Sequence, residues 1–311
     1  HQPSDHPNNR SALGRDRDRN RAGTDLCEPG STMKPSTTAA ALSSGKYQPD
    51  TPIDTSPGWY RLAGNRIHDV RNFGLIDVAR VIKKSSNVGA SRIALSLDPK
   101  LLWQTYKGVG FGITTGSGFP GESGGLLPNY TQWGRIEQAT LAYGYGLSVT
   151  PLQLAQAFAV LADDGCLHPV TFQARDPDAG PPKGMPILDP EVARQVRHML
   201  EGVVERGGTG TRAAVPGYRV AGKTGTVRKA TDGGYSEKHY MAIFAGIAPA
   251  SRPRLVMVVV VNDPGAGKYY GGLVAAPVFA HVMAGALRLL DVPPDDLPSL
   301  GTRVALLEDT K

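Results

Sequence analysis

The chain has 311 residues and a mass of 33.0 kDa, and 40% of its residues are hydrophobic, so it can bury one large core or two intergrown subdomains. Its formal charge is +6 and its pI is near 9.3, but basic residues are scattered among acidic ones, so nucleic-acid binding is not expected. No C-x-x-C or H-E-x-x-H pattern occurs, and therefore no metal site and no disulfide framework are predicted. A single Cys27–Cys166 disulfide stays open.

The beginning of the chain is polar. Residues 1–30 include the charged run GRDRDRNR, which is typical of a solvated loop, and they do not fit a signal peptide. No apolar run is expected to span a bilayer, so the chain as given is expected to be soluble, without a membrane anchor. Because it begins with His1 rather than Met, it can also be a piece of a longer protein, and composition does not indicate its localisation.

Helical patterns dominate the next part of the chain. The segment STMKPSTTAAALSSG predicts a helix that begins at Ser31, has Pro35 in its first turn and ends at Gly45. After the turn-rich residues 46–75, the segment IDVARVIKKSSNVGASRIALSL predicts two helices with polar residues at the break. Further helices are predicted around residues 101–106 and in TQWGRIEQATLAYG and TPLQLAQAFAVLADDG.

The pattern changes to helix and strand after residue 166. A helix at 189–205 is followed by three strand-like runs, YRVAGKT, YMAIFAGIAP and RLVMVVVVND, and by a final helix in VAAPVFAHVMAGALRLL. Short connections between the strands predict an antiparallel meander with helices packed on it. The expected organisation is a helical subdomain at about 46–165, a sheet subdomain at 166–290 that includes the N-terminal segment, and a tail at 291–311.

The stretch GYRVAGKTGT, residues 217–226, fits two opposing motifs. Its first eight residues match the phosphate loop G-x-x-x-x-G-K-[ST], and its last four read K-T-G-T, a signature of penicillin-recognising serine enzymes. A phosphate loop follows a buried strand and leads into a helix, whereas strand formers lie between these glycines and Gly225 discourages a helix. Asp263 at the end of a hydrophobic strand resembles a Walker B residue, but a nucleotide-binding function leaves STMK and SSN unexplained.

Ser31 and Lys34 fit acyl transfer without a histidine base. Three residues apart on a helix, they lie on one face, with Cβ atoms roughly 5–6 Å apart. Lysine accepts a proton only when it is neutral, and a desolvated position beside a second cation such as Lys223 would lower its pKa. The pair alone is a weak signal, because a capping serine and a solvated lysine give the same spacing.

Ser85 and Asn87 lie at the predicted helix break. A hydroxyl at Ser85 can pass a proton to a leaving amine, and the amide of Asn87 can orient a substrate peptide bond. Serine and asparagine are also common turn residues, so this motif too is weak by itself.

The K-T-G-T residues are predicted to bind the substrate. On a strand, Lys223, Thr224 and Thr226 offer a cation and hydroxyls to a carboxylate, and Gly225 lets a ligand backbone lie close. The backbone N–H groups of Ser31 and Thr226 are predicted to form the oxyanion hole.

The three motifs together, in this order on helix, break and strand, are the pattern of penicillin-binding proteins and serine β-lactamases. The chain resembles the transpeptidase domain of class B penicillin-binding proteins, over essentially residues 1–290. The resemblance extends over EPGSTMKP, KKSSNVGASRIAL, GFGITTGSGFPGE, RIEQATLAYGYGLSVTPLQLAQAFAVLADDG, VAGKTGTVRK and VNDPGAGKYYGG. It implies an α/β fold of the α+β type, with an antiparallel sheet, flanking helices and an all-helical subdomain. The N-terminal strands of the family's sheet are expected to be missing, which would leave an open sheet edge.

The resemblance implies a D,D-transpeptidase that needs no cofactor. Ser31 would attack a D-Ala-D-Ala stem peptide with Lys34 as base, Ser85 and Asn87 would act in proton transfer and orientation, and β-lactam antibiotics would acylate Ser31. The same resemblance implies a role in cell division on the periplasmic side of the bacterial inner membrane, with membrane proteins of the division machinery as partners. The turn Tyr269-Tyr270-Gly271 resembles the loop beside the family's pocket, although an aromatic anchor for a glycine turn is a nearly equal interpretation.

Two other functions stay open within the fold. A β-lactamase needs a carboxylate near the acyl-ester, for which Glu122 and Glu137 are the candidates, but neither lies in an E-x-x-L-N context. A β-lactam-binding sensor without transferase activity is the alternative from another class. Cys27, close to the nucleophile, is interpreted as a small buried hydrophobe.

Overall fold

A three-stranded antiparallel sheet separates two layers of helices. The computed structural model describes residues 20–174, 176–180, 182–231, 234–265 and 267–297. The helices of the described residues are α1 Arg21–Thr24, α2 Lys34–Ser43, α3 Val78–Lys84, α4 Asn87–Leu95, α5 Pro99–Gly108, α6 Arg135–Leu141, α7 Pro151–Ala162, α8 Pro190–Val204 and α9 Gly271–Leu289. The strands are β1 Pro52–Asp54, β2 Trp59–Leu62, β3 Asn65–His68, β4 Leu75–Asp77, β5 Cys166–Leu167, β6 Met185–Pro186, β7 Ala221–Thr231, β8 Gly234–Ala248 and β9 Leu255–Asn262.

The main sheet has the order β7-β8-β9, and both pairs are antiparallel. Its register places Thr224 opposite Phe244 and Phe244 opposite Val259. The meander predicted from the three strand-like runs is therefore confirmed, except that β7 begins only at Ala221. Since Lys223 lies inside β7 and no helix follows it directly, the phosphate-loop geometry is absent from this part of the chain.

The hydrophobic core has two parts, one on each face of the sheet. On one face, α7 and α8 pack against the sheet, and a single cluster joins Ile82 and Phe158 to Ile243 and Ile247 of β8. On the other face, Phe279 of α9 packs against Phe244 with ring centroids 4.8 Å apart. The larger cluster crosses from the helical subdomain into the sheet subdomain, so the two subdomains share one core.

Helix boundaries follow the capping residues. Thr150 forms a capping box with Gln153 in which each side chain bonds the other's backbone N–H, and Pro151 occupies the first turn of α7. The break between α3 and α4 lies at Ser85 and Ser86, as predicted.

The expectation of an all-helical subdomain is wrong for residues 52–77. There, β1 pairs with β4 and β2 pairs with β3, both antiparallel, in segments of three or four residues. The composition of this region indicated turns because the strands are so short and Gly64 provides the tight connection of the β2–β3 hairpin.

Three further expectations, on the C-terminal tail, the disulfide and the charged run, can be compared with the described residues. Residues 291–297 are not a loose tail, because Asp295 accepts hydrogen bonds from the Arg219 N–H at 2.8 Å and the Ser251 hydroxyl at 2.5 Å. The two cysteine thiols are unpaired, so the Cys27–Cys166 disulfide is not formed. The charged run near the start of the chain lies mostly outside the described residues, as do residues 298–311.

One helix of the described residues, α9, is long and apolar enough to cross a membrane, contrary to the expectation from sequence. Its side chains Ala276, Phe279 and Met283 are buried against the sheet. Only 28% of its most apolar 18-residue window is buried, and one such helix, judged by length and composition alone, is weak evidence for a membrane span.

Candidate active site

The nucleophile candidate Ser31 lies in a short 3-10 helix, Gly30–Met33, that leads into α2. Gly30 adopts a left-handed conformation with φ of 53°, and its N–H donates to the carbonyl of Gly144 at 3.1 Å. Gly144 also has a positive φ, and a Cβ there would overlap the backbone of Gly30. The turn that presents Ser31 therefore requires glycine on both sides of the contact.

Lys34 is the centre of the site. Its Nζ lies 2.7 Å from Ser31 Oγ, 2.8 Å from Asn87 Oδ1, 3.0 Å from the Ser85 carbonyl and 3.2 Å from Ser85 Oγ. The side chain of Lys34 is fully buried. Burial lowers the pKa of Lys34 well below its ordinary value, the charge of Lys223 lowers it further, and Asp69 opposes both effects. The structure thus brings the predicted serine, base and relay residues within hydrogen-bond distance.

Ser85 owes its position to an unusual backbone. It ends α3 in the left-handed conformation, with φ of 58° and ψ of 40°, which is uncommon for a residue other than glycine. This conformation reverses the chain between α3 and α4, so that both the carbonyl and the hydroxyl of Ser85 face Lys34.

Asn87 is the first residue of α4, and its amide is held at both ends. Its Oδ1 accepts from Lys34 Nζ, and its Nδ2 donates to the carbonyl of His68 at 3.4 Å. The amide plane is thereby fixed beside the nucleophile.

Lys223 lies beside Lys34 in a desolvated position, as the sequence analysis expected. Its side chain is fully buried, and its Nζ donates to Ser85 Oγ at 2.9 Å and to the Thr224 carbonyl at 3.2 Å. Desolvation by this burial lowers the pKa of Lys223 to about 7. Two lysines therefore flank the same hydroxyl, and direct contact of Lys223 with a substrate carboxylate stays a prediction.

The two threonines of the motif have fixed hydroxyls. Thr224 Oγ1 lies 2.7 Å from Thr209 Oγ1, and Thr226 Oγ1 accepts from the Gly271 N–H at 3.0 Å. The bond from Gly271 uses the hydroxyl oxygen of Thr226 as acceptor and does not use its hydrogen. Thr224 and Thr226 line the cleft together with Ser31, Ser85 and Asn87.

The two glycines predicted to contact substrate, Gly225 and Gly271, make close packing contacts, and their contact with substrate stays a prediction. A Cβ on Gly225 would meet the Pro29 carbonyl and Thr32 at 3.1 Å, so this glycine lets β7 approach the segment that carries Ser31. A Cβ on Gly271 would overlap the carbonyls of Gly225 and Ile243. Both glycines are buried, and they bring the nucleophile segment and the start of α9 against the strand.

Three neighbouring tyrosines line one side of the cleft. Tyr269 stacks on Tyr240 with centroids 4.1 Å apart and planes 16° apart, and Tyr270 lies 4.6 Å from Tyr269. All three line a cleft of about 570 Å³ that also contains Ser31. Tyr269 and Tyr270 therefore lie where the sequence analysis expected them, and their contact with a ligand stays a prediction.

Several cleft residues were not found from the sequence. They are His68, Asp69, Tyr145, Thr209, Arg212 and Tyr240. Thr209 and Arg212 belong to the glycine-rich run GGTGTR, which could have marked a functional loop. The others come from the β2–β3 hairpin, the segment before α7 and β8, and no local pattern distinguishes them.

The carboxylates considered for hydrolysis lie elsewhere. Glu122 accepts hydrogen bonds from Thr115 and Ser117, which orders its own loop, and neither Glu122 nor Glu137 lines the cleft. Among the described residues, Asp69 is the acidic side chain at the cleft, and both of its oxygens are already hydrogen bonded. The oxyanion hole from the Ser31 and Thr226 N–H groups stays a prediction.

A serine hydrogen-bonded to a buried lysine, between a helical subdomain and an antiparallel sheet, is the arrangement typical of the penicillin-recognising serine enzymes. The family model described as "Penicillin binding protein transpeptidase domain" matches residues 1–284, and the chain belongs to this family. The predicted family and fold class are thereby confirmed.

The chain is similar to curated proteins and to solved structures of this kind. It is 45% identical over 296 residues to the peptidoglycan D,D-transpeptidase FtsI of Escherichia coli, covering 95% of the chain and 49% of FtsI. It is 44% identical over 295 residues to the probable peptidoglycan D,D-transpeptidase PbpC of Pseudomonas aeruginosa, covering 95% of the chain and 52% of PbpC. The apo TP domain of Burkholderia pseudomallei penicillin-binding protein 3 superposes with a TM-score of 0.86 at 47% identity, covering 90% of the chain and 85% of that domain. The chain thus spans about half the length of these two curated relatives.

Proposed function

We propose that the chain is a peptidoglycan D,D-transpeptidase domain that cross-links stem peptides through an acyl-enzyme on Ser31 and is inhibited by covalent β-lactam binding. The observation that carries the proposal is the contact of buried Lys34 with Ser31 Oγ at 2.7 Å. Burial lowers the pKa of Lys34, which favours the neutral amine that can take the serine proton.

The contacts of Lys34 suit a neutral amine. In the structure Lys34 Nζ donates to Ser31 Oγ, Asn87 Oδ1 and the Ser85 carbonyl. In the proposed neutral state its two N–H groups keep the bonds to Asn87 Oδ1 and the Ser85 carbonyl, and its lone pair accepts the hydroxyl hydrogen of Ser31. The Ser31 proton then moves to Lys34 as Oγ forms its bond to the carbonyl carbon of the penultimate D-Ala.

The leaving group takes its proton through Ser85. As the tetrahedral intermediate collapses, the bond to the terminal D-Ala breaks and its nitrogen gains a proton from Ser85 Oγ, which Lys34 or Lys223 resupplies. An amine from a second stem peptide then attacks the ester, and Ser31 regains its hydrogen. Thr224 and Thr226 hold the terminal carboxylate, while the N–H groups of Ser31 and Thr226 stabilise the oxyanion.

The cellular setting follows from the resemblance to FtsI and is part of the same proposal. The whole protein acts at the division septum on the periplasmic side of the inner membrane, where membrane proteins of the division machinery recruit it. Similarity to FtsI over 95% of the chain supports this setting.

The test is intact-protein mass spectrometry with benzylpenicillin over a time course, comparing the chain with Ser31→Ala and with Lys100→Met, an exposed-lysine control. We expect one penicillin mass on the chain and on the control, and none on Ser31→Ala. A D-Ala-D-Ala stem peptide with an amine acceptor then tests transfer. Rapid loss of the adduct would indicate a β-lactamase, a stable adduct without transfer would indicate a sensor, and no adduct on the folded chain would refute the proposal.

A further inference from the structure

Asp69 lies outside the three motifs, directly after β3, yet it binds the middle motif with both carboxylate oxygens. Its Oδ1 accepts from the backbone N–H of Asn87 at 2.5 Å and of Val88 at 3.0 Å, and its Oδ2 accepts from the Ser86 hydroxyl at 2.5 Å. The backbone N–H of Asp69 in turn donates to the Gly58 carbonyl at 2.9 Å, which anchors it to the β2–β3 hairpin.

These contacts supply hydrogen-bond acceptors to the backbone N–H groups at the N-terminus of α4. The first four N–H groups of a helix have no partner within the helix. In α4, Asp69 takes those of Asn87 and Val88, the Ser86 hydroxyl takes that of Gly89, and the Val81 carbonyl takes that of the N-cap residue Ser86. The negative charge at a helix N-terminus adds a favourable interaction with the helix dipole.

The same hairpin also fixes the side chain of Asn87. The carbonyl of His68 accepts from Asn87 Nδ2, so Asp69 and its neighbour hold the backbone and the amide of one residue. The other end of that amide accepts from Lys34 Nζ at 2.8 Å. Movement of Asp69 would therefore change the position of a contact to the catalytic lysine.

We infer that Asp69 is a positioning residue for acyl transfer, which holds Asn87 and the start of α4 in register with Lys34 and Ser31. It acts through Asn87 and Ser86, because its Oδ1 accepts from the Asn87 N–H and its Oδ2 from the Ser86 hydroxyl. The inference rests on the proposed function, since its kinetic readout is acylation of Ser31.

The first experiment measures the acylation rate constant and the noncovalent dissociation constant separately with a fluorescent penicillin. Misplacement of a reacting group by about 1 Å costs up to roughly 100-fold in rate, so Asp69→Ala is expected to slow acylation about 10- to 100-fold with a smaller change in noncovalent binding. Asp69→Asn keeps an oxygen for the two N–H groups but replaces the acceptor of the Ser86 hydroxyl with an N–H₂ donor, so it is expected to restore part of the rate.

Asp98→Ala is the matched control. Asp98 caps α5 by accepting from the Lys100 N–H at 2.9 Å, and it does not line the cleft. The Asp98→Ala substitution therefore removes an N-terminal cap without changing the site. The acylation rate of this variant per folded molecule is expected to stay unchanged. Equal rates for the unaltered chain and folded Asp69→Ala would overturn the inference.

Two further measurements test the positioning role of Asp69 if the first experiment fails. If Asp69→Ala does not fold, Asp69→Glu keeps the carboxylate but lengthens the side chain by one methylene, and full-rate acylation of that folded variant would overturn the inference. A crystal structure of a folded variant is independent of acylation, and therefore of the proposed function. A lengthened distance between Asn87 Oδ1 and Lys34 Nζ is expected in Asp69→Ala, and an unchanged distance would contradict the positioning role.

Discussion

At the scale of single residues, the site depends on two buried lysines that share one hydroxyl. Lys34 and Lys223 both contact Ser85 Oγ, at 3.2 and 2.9 Å, and both are fully buried. Two positive charges this close in a dry environment repel each other, so at least one amine is favoured as neutral. The low pKa of each lysine is a cost to folding that the site's chemistry requires.

This cost predicts a pH dependence of stability. The pKa of Lys223 is about 7 in the folded protein and about 10.4 when unfolded, so between these values the unfolded state binds more protons. The free energy of unfolding should therefore rise with pH across this window, by up to about 1.4 kcal/mol per pH unit from this group. Urea unfolding at pH 7 and pH 9 should show a smaller rise in Lys223→Met than in the unaltered chain, while the exposed control Lys100→Met should keep the full rise. An equal rise in Lys223→Met and the unaltered chain would contradict the lowered pKa.

At the scale of elements, close approach of backbone segments decides where the nucleophile lies. Gly144 packs on Gly30, and Gly225 packs on Pro29, so the Ser31 segment is held between the turn after α6 and strand β7. Glycine is required at Gly144 because a Cβ there would overlap the backbone of Gly30, whereas a Cβ on Gly225 would make a tight contact of 3.1 Å with the Pro29 carbonyl.

A comparison of two glycines tests this packing. Gly45 and Gly144 both have positive φ, but a Cβ on Gly45 would meet open space, whereas one on Gly144 would overlap Gly30. Gly45→Ala should cost about 1–2 kcal/mol of unfolding free energy from its left-handed backbone alone. Gly144→Ala should cost roughly 3 kcal/mol or more, and it should also slow acylation of Ser31. Equal losses of unfolding free energy in the two variants, measured by urea unfolding, would show that the close contact between Gly144 and Gly30 does not add to the cost of the substitution.

At the scale of the whole molecule, the site lies where the two subdomains meet. Lys34 and Ser85 come from the helical side and Lys223 from the sheet, and one hydrophobic cluster continues beneath them. Separation of the subdomains would therefore break the core and the active site together.

The shared core predicts a single unfolding transition. All three tryptophans, Trp59, Trp103 and Trp133, lie in the helical subdomain, so fluorescence reports on that part, whereas circular dichroism reports on the whole chain. The two signals should give the same urea midpoint. A fluorescence midpoint at a lower urea concentration than the circular dichroism midpoint would mean that the helical subdomain unfolds independently.

Local sequence was sufficient for much of this structure. Ser31 and Lys34 are three residues apart at a helix start, and helical geometry alone brings their side chains together. The polar break at Ser85 and the meander of β7 to β9 also followed from capping residues and strand periodicity. The order of these motifs was enough to indicate the family.

The sequence by itself thus determined the family and the candidate site residues, because residue identity and short-range spacing are local properties. Only the tertiary structure decided that Lys223 is buried behind Ser85, that Thr209 bonds Thr224, and that Asp69 caps α4. These contacts join residues 138, 15 and 18 positions apart. No helical or strand period relates such positions, so their distances are set by the packing of helices and hairpin against the sheet.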